Sequence, residues 1–281
     1  MLEQILAVEP IVRLSAFVVI FSLMVLAEVL VPLRTQAAGR RRRWPGNLGV
    51  VVIDSLVVRL LLPTAAVGVA LAADAGGWGL FHALAVPAWL AVIAGVLLLD
   101  LTIYLQHVLF HAVPALWRLH RMHHADLDFD VTTGVRFHPV EILLSLLLKL
   151  AVVAALGAPA LAVLLFEVLL NATSLFNHGN IRMPVQVDRV LRWFLVTPHM
   201  HRVHHSIRPH ETNSNFGFNL PWWDRLFGTY RARPADGQRG MTIGIAQFRN
   251  PRELRLHRML IQPLLGASGQ YPLGRRADED S

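Results

Sequence analysis

The sequence predicts an all-α fold: an integral membrane helical bundle of three spans plus a helical hairpin, with a cytoplasmic, helical, histidine-rich cap. Of the 281 residues, 54% are hydrophobic and only 16% are charged, whereas a soluble domain carries about 25% charged residues. Several apolar stretches reach the roughly 20 residues that a helix needs to cross a bilayer. Histidines recur at offsets of three and four residues, which places their side chains on shared helical faces.

The first three apolar stretches predict three membrane spans. They are Ile11–Leu33, Leu48–Ala73 and a stretch from Phe81 into the first histidines. The loop between the first two contains Arg40–Arg43. By the positive-inside rule this loop is cytoplasmic, which places the N-terminus outside and the end of the third span inside.

The next apolar stretch, Glu141–Thr173, predicts a hairpin and not a single span. A single crossing would carry the later histidines to the opposite side of the bilayer from the earlier ones. Gly157-Ala158-Pro159 divides the stretch into halves of about 16 residues, each about 24 Å long as a helix. We therefore expect both ends of the hairpin on the cytoplasmic side.

Beyond the hairpin the sequence is mixed in polarity. It predicts amphipathic helices over Val185–Val196 and Pro251–Leu265, and a disordered charged tail over Arg275–Ser281. The resulting organisation has six parts: an N-terminal segment 1–10, membrane spans within 11–111, an Arg-rich cytoplasmic loop 34–47, a histidine-rich domain 112–265, the hairpin 141–173 within that domain, and a tail 266–281.

Eleven of the fourteen histidines fall between residues 107 and 205, and most of them form clusters. Imidazole is the commonest metal ligand in proteins, and the chain has no cysteine, which excludes thiolate sites. The pattern His-x-x-His-His occurs twice, and each copy suits two ligands for one ion and a third for its neighbour. The sequence therefore predicts a pair of metal ions. The clustered histidines are His107, His111, His120, His123, His124, His201, His204 and His205.

Several isolated residues are candidates for the same site. His138 and His178 stand at the two mouths of the hairpin, where each could ligate, and Glu141 follows His138 at i+3. Asp100 shares a helical stripe with His107, and a carboxylate within a span usually has a partner, so we expect it to accept an N–H from a ligand histidine. His199 is undecided. We expect His82, His210 and His257 to lie outside the site.

The ligand chemistry favours a redox pair of irons that activates dioxygen. Nitrogen ligands also suit copper, nickel and zinc. Two rival hypotheses are a non-enzymatic membrane metal-binding protein and a membrane zinc hydrolase, although the His-Glu-x-x-His motif of many hydrolases is absent. A nucleic-acid partner for the net charge of +7 is not expected, because the basic residues lie beside apolar spans, where anionic lipid and topology explain them.

Five segments resemble the fatty acid hydroxylase superfamily, which includes the sterol desaturases. They are Leu116–His124, Thr133–Glu141, Pro198–Ser206, Asn215–Gly217 and Trp223–Thr229. The resemblance covers roughly residues 25 to 265. It implies that 112–265 is a catalytic domain and that the protein is a membrane non-haem di-iron oxidoreductase. Such enzymes hydroxylate or desaturate an unactivated C–H bond of a lipid or sterol-like substrate with dioxygen.

The resemblance also implies site residues and partners. The ligands carried over are the eight clustered histidines together with His138 and His178. Asp224 resembles an acidic position that orients a histidine of the cluster His201–His205, although an N-cap or turn role is an open alternative. Two iron ions are the expected cofactor, with zinc able to replace them in an isolated sample. We expect a separate electron donor, either cytochrome b5-like or a ferredoxin with its reductase, and a multi-pass location in the inner membrane if the source is bacterial.

Overall fold

A computed structural model describes residues 8–62 and 66–273 of the chain. Within these residues the secondary structure is helical, and extended pairing is limited to two isolated bridges. The prediction of an all-α fold is therefore confirmed. The expected disorder of 275–281 concerns residues outside the described part.

The helices fall into a long apolar set and a short set. The long set and its connecting helices are α1 (Glu9–Leu30), α2 (Arg40–Leu61), α3 (Ala66–Gly76), α4 (Leu80–Ala83), α5 (Ala88–Ala112), α6 (Pro114–His124), α7 (Pro139–Leu156) and α8 (Ala160–Asn177). The short helices of the remaining chain are α9 (Val185–Leu191), α10 (Pro198–His204), α11 (Pro209–Thr212), α12 (Trp222–Leu226), α13 (Gly237–Gly240) and α14 (Leu256–Ile261).

Five segments are long and apolar enough to cross a membrane, judged by length and composition. They are α1, the segment Arg40–Ala83, α5, α7 and α8. These are the stretches that the sequence assigns to three spans and a hairpin. A multi-pass membrane protein follows from them, and the number of crossings and the cytoplasmic side of the cap remain proposals.

The second apolar segment begins earlier than the sequence predicts. Helix α2 starts at Arg40, so that only the first part of the Arg-rich segment 34–47 is a loop. The reason is electrostatic: Arg43 points into the protein, where its side chain is fully buried against Asp126 and Asp130. A helical start places this guanidinium towards both carboxylates, which the hydropathy pattern does not reveal.

The hairpin is present and slightly longer than predicted. His138 caps α7, and Pro139 occupies its first position, where a missing N–H costs nothing. Gly157 ends α7 in the left-handed conformation, with φ of 62°, and a Cβ there would lie 2.5 Å from the carbonyl oxygen of Trp78. Glycine is therefore required at this turn, and α8 returns to the side from which α7 started.

Helix α8 lies at the centre of the bundle and packs against α1, α3 and α5. Small residues let it approach α5 closely, since a Cβ on Gly95 would lie 3.0 Å from the Cβ of Ala162. Such contacts replace the hydrophobic driving force that is missing between helices in lipid. The result is that the histidine-bearing end of α5 lies beside the end of α8 that leads to His178.

The two predicted amphipathic helices are shorter than expected. The first is α9, which ends at Leu191. The second is divided into a 3-10 turn at Pro251–Leu254, helix α14 and a second 3-10 turn at Gln262–Leu264. Arg255 is extended between the first two pieces, which interrupts the helix despite its apolar periodicity.

Candidate metal centre

Nine histidines meet in two buried groups. Within each group, one potential ligand atom from every residue lies within 4.8 Å of the others. The first group consists of His107, His111, His120, His124 and His204, and the second of His123, His178, His201 and His205. Within the first group, His107 and His204 are brought together although 97 positions separate them in the sequence.

The two copies of His-x-x-His-His are divided between the groups in opposite senses. Helix α6 contributes His120 and His124 to the first group and His123 to the second. The copy at 201–205 contributes His204 to the first group and the other two to the second. This is the arrangement of two ligands for one ion and a third for its neighbour that the spacing predicts.

Five of the rings are oriented by an acceptor at Nδ1. A carbonyl or carboxylate oxygen can only accept, so the proton lies on Nδ1 and the Nε2 lone pair points into the group. The pairs are His107 with Phe216 O (2.7 Å), His111 with Asn213 Oδ1 (3.0 Å), His120 with Glu141 Oε1 (2.6 Å), His178 with Ser174 O (2.7 Å) and His204 with Ser214 O (2.8 Å).

The oriented lone pairs face one another, and this arrangement fits a bound cation. The Nε2 atoms of His107 and His120 lie 3.0 Å apart, although both rings carry their proton on Nδ1. Two lone pairs at this distance repel each other unless a positive charge lies between them. In His205 both ring nitrogens are buried, and neither has a hydrogen-bond partner in the described residues. The donor set therefore fits metal ions that accept nitrogen ligands.

The environment also keeps the imidazoles neutral, as ligation requires. Burial lowers the pKa of His120 and of His178 to about 3. Burial and the neighbouring imidazoles hold the pKa values of the remaining cap histidines, His123, His124, His201, His204 and His205, well below the ordinary range. At neutral pH the lone pairs are therefore available.

The three predicted supporting carboxylates have different positions. Glu141 lies as expected, with Oε1 accepting from His120. Asp100 contacts no histidine: its Oδ2 accepts from Trp223 Nε1 at 2.8 Å and from the amide of Leu220. Its role is to attach the chain before α12 to α5, so the expected histidine contact is absent.

Asp224 acts on the centre through the backbone. Its carboxylate accepts from the amides of Phe216 (2.7 Å) and Gly217 (2.9 Å) and from Thr229 Oγ1. Burial raises its pKa to about 6. The carbonyl of Phe216 in turn accepts from His107. Asp224 therefore positions the acceptor for His107 and makes no hydrogen bond to the predicted cluster His201–His205.

His138 lies outside both groups. Its Nδ1 accepts from the amide of Val140, and its Nε2 donates to the carbonyl of Leu260 at 3.1 Å. Both nitrogens are engaged, which leaves no lone pair for a metal, so the ligand expected from the family resemblance finds no support here. His199 also lies outside, with Nδ1 at 3.6 Å from Asp188. The other three isolated histidines, as expected, belong to neither group.

A buried network of charged side chains behind the histidines was not predicted from the sequence. Arg43 Nε and Nη1 each donate at 2.6 Å, to Asp126 and Asp130 respectively, and Asn47 links Asp126 to Arg136. The signal was the alternation of aspartates at 126, 128 and 130 directly after His124, in a chain with few acidic residues. The backbone acceptors Phe216 O, Ser214 O and Ser174 O carry no sequence signal, because every residue has a carbonyl.

A cavity of about 840 Å³ connects the centre with the interior of the bundle. At one end it is lined by His107, His120 and Glu141. Phe218 also lies at this end, with its ring centre 5.1 Å from that of His107. Elsewhere the wall is mainly apolar, with Leu14, Phe17, Val58, Ile103 and Leu170, and it also includes the charged residues Glu9, Arg13, Asp54 and Arg59. A hydrocarbon chain of a lipid could enter this space and reach the histidines.

Comparison with known proteins identifies a family. Residues 92–229 match the fatty acid hydroxylase family model. Ornithine lipid hydroxylase OlsE of Rhizobium tropici is 32% identical over 164 residues, which are 57% of this chain and 48% of that protein. Alkylglycerol monooxygenase of Xenopus tropicalis is 27% identical over 212 residues, 72% and 45% of the two chains. Cholesterol 25-hydroxylase of Rattus norvegicus is 31% identical over 147 residues, 51% and 47%.

The chain spans about half the length of these curated relatives. No solved structure shows a significant match. The matched region begins within α5, before His107, and ends at Thr229, so that it contains all nine converging histidines.

Proposed function

Because residues 92–229 match the fatty acid hydroxylase family, we propose that this chain is a membrane-bound non-haem di-iron oxidoreductase. It uses dioxygen to oxidise an unactivated C–H bond of a lipid or sterol-like substrate. The observation that carries the proposal is the convergence of nine buried imidazoles, two of which, His107 and His120, line a mainly apolar cavity.

Hydroxylation is favoured over desaturation. The relatives are named as hydroxylases or monooxygenases that act on an ornithine lipid, an alkylglycerol and cholesterol. Their substrates differ in head group and ring structure but all are lipids. The cavity, with its apolar wall, agrees with this substrate class.

The protein's own groups hold and orient the reactants. Irons bound by the two groups would supply the activation of dioxygen and the removal of hydrogen from carbon. The nine histidines of the two groups are the proposed ligands. The Nδ1 acceptors fix the tautomer of five of them, which reduces the reorganisation needed on binding. The apolar wall excludes water and presents the lipid chain to the centre.

The cavity favours an enzyme over a metal carrier or a sensor. A carrier needs an exit for its ion, whereas the histidines of both groups are buried. The cavity instead leads from two histidines of the first group, His107 and His120, into the mainly apolar interior of the bundle. Electrons would come from a separate cytochrome b5-like or ferredoxin-type donor, and the cap would face the cytoplasm.

The test is expression of the chain in a host that lacks related activities, followed by lipid mass spectrometry under air and under nitrogen. We expect lipid species heavier by one oxygen, formed only with air and only with iron-loaded protein. The proposal is wrong if an iron-loaded, reduced sample with an intact donor system leaves the lipid profile unchanged.

A further inference from the structure

A second cavity, of about 1090 Å³, lies in the cap and shares no lining residue with the first. We call it the basic cavity because six arginines line it against two aspartates. The arginines are Arg182, Arg189, Arg192, Arg225, Arg233 and Arg239.

Four of these arginines have free side chains. Arg182, Arg189, Arg233 and Arg239 are exposed. Within the described residues, no hydrogen bond or ion pair holds their guanidinium groups. A cluster of unpaired positive charges around one hollow repels itself unless an anion occupies the space.

The other two arginines are fixed. The guanidinium of Arg225 lies 4.0 Å from the ring centre of Trp193 and 4.1 Å from that of Tyr230. Arg192 pairs with Asp188 and donates to Tyr230 Oη at 3.0 Å. These contacts give the cavity one rigid wall, from which the free arginines extend.

The two aspartates do not neutralise the free arginines. Asp188 is engaged by Arg192 and accepts from Thr197 Oγ1 at 2.6 Å. Asp236 is paired with Arg208 at 3.0 Å. The excess positive charge of the cavity therefore remains available to a ligand.

An apolar flank adjoins the basic cavity. Its side chains are large, exposed and hydrophobic: Trp193, Phe194, Trp222, Leu226 and Phe227. A cluster of five large exposed apolar side chains marks a contact with lipid or with a partner.

Two contacts place the apolar flank beside the membrane. The ring of Phe227 stacks on Tyr104, with 5.4 Å between centroids, and Trp223 donates to Asp100. Both partners lie on α5, a candidate membrane span, within two turns of His107. The flank thus packs against a candidate span near its histidine-bearing end, and the arginines lie at the edge of the flank, as expected for an interfacial belt.

We propose that the basic cavity binds the anionic head group of a membrane phospholipid, whose acyl chains lie along the apolar flank. The arginines supply charge-assisted donors for a phosphate, and the flank supplies the surface for the chains. A soluble acidic protein would meet the arginines but leave the flank uncovered, so the lipid accounts for both features. The site is separate from the metal centre and does not depend on its activity.

Lipid binding would also stabilise part of the metal centre. Asp188 connects the wall of the cavity with Thr197, whose side chain caps α10. Helix α10 carries His201 and His204. A bound lipid should therefore raise the melting temperature, since it binds the folded state only.

The experiment titrates the delipidated full-length chain in uncharged detergent with phosphatidylglycerol or phosphatidylcholine, and follows the melting temperature and bound lipid by native mass spectrometry. We expect phosphatidylglycerol to bind more tightly. The double variant Arg182→Gln/Arg189→Gln should weaken this binding about 30-fold. The matched control Arg252→Gln/Arg255→Gln removes the same charge outside the cavity and should bind as the wild type does.

Three results would overturn the proposal: equal binding of the two lipids, an equal loss in the control variant, or displacement of phosphatidylglycerol by inorganic phosphate or by poly-glutamate at similar concentration. The last result would assign the cavity to a soluble anion or an acidic protein. If the first double variant does not fold, Arg233→Gln/Arg239→Gln tests the same cavity from other positions.

Discussion

Two buried polar regions lie side by side in the cap, and they satisfy their polar atoms differently. In the network of Arg43, Asp126 and Asp130, every guanidinium nitrogen of the arginine donates to an oxygen of the protein. In the histidine groups, by contrast, nitrogens such as both of those in His205 have no protein partner. The guanidinium of Arg43 is therefore fully bonded without a ligand, whereas the histidines require a cation from outside. A buried polar cluster points to a ligand only when its own atoms leave partners missing.

The largest expected effect is the loss of metal when a histidine with free nitrogens is removed. His205→Ala breaks no hydrogen bond within the protein. We therefore expect iron affinity and oxygenase activity to fall more than about 100-fold, while the helical circular dichroism of the metal-free protein is retained. His210 is exposed, and His210→Ala is the matched control. Full activity of His205→Ala at wild-type iron content would remove this histidine from the centre.

A substitution in the network of Arg43, Asp126 and Asp130 should lower the stability of the fold instead of the metal affinity. Arg43→Met leaves Asp126 and Asp130 buried without their partner, so the free energy of unfolding should fall by about 3–5 kcal/mol. The neighbouring Arg42 is exposed. Arg42→Gln should therefore change the free energy of unfolding by less than about 0.5 kcal/mol. Thermal unfolding of the metal-free proteins in detergent measures both. Similar stability of the two variants would show that the network contributes little.

A smaller loss of iron affinity is expected when a residue that orients a histidine is changed but the histidine itself is kept. Glu141→Gln weakens the acceptor that orients His120, so iron affinity should fall about 10- to 100-fold. His138→Ala, three residues before Glu141, should keep wild-type iron affinity, because both nitrogens of His138 already bond to the backbone. Competition with a chelator measures the affinities. A loss of iron in His138→Ala would restore it as a ligand.

For a single residue, the smallest expected change in stability comes from pH, to which the two regions should respond differently. Burial lowers the pKa of His120 and of His178 to about 3, against an ordinary value of about 6.5. Below pH 6.5 the unfolded chain binds protons that the folded chain does not, so stability falls with pH until about pH 3. Between pH 7.5 and 5 each histidine should cost the metal-free protein about 2 kcal/mol.

The network should not respond over that range. Although burial alone would raise it, Arg43 holds the pKa of Asp126 below its usual range. The ionised Asp126 therefore contributes to stability above the ordinary carboxyl pKa, and this contribution is lost only in stronger acid. Urea unfolding of the metal-free chain at pH 7.5 and pH 5 measures the difference. Equal stability at the two values would contradict the burial of neutral imidazoles.

The sequence predicts the features that depend on local spacing. The all-α class, the hairpin turn at Gly157 and the division of each His-x-x-His-His between two groups follow from helical periodicity and from the conformational preferences of glycine and proline. Proximity in sequence misleads at His138, which neighbours the site but faces the backbone of α14. Long-range partners such as Asp126 for Arg43, or Phe216 O for His107, arise only when the chain folds and leave no periodic signal.

The most direct test of a two-ion histidine centre is the metal content of the full-length chain reconstituted with ferrous iron in the absence of air. We predict two irons per chain for the wild type, one for each histidine group, and one iron for His123→Ala/His205→Ala, which alters only the second group. A wild type that binds no iron, or a variant that still binds two, would contradict the account.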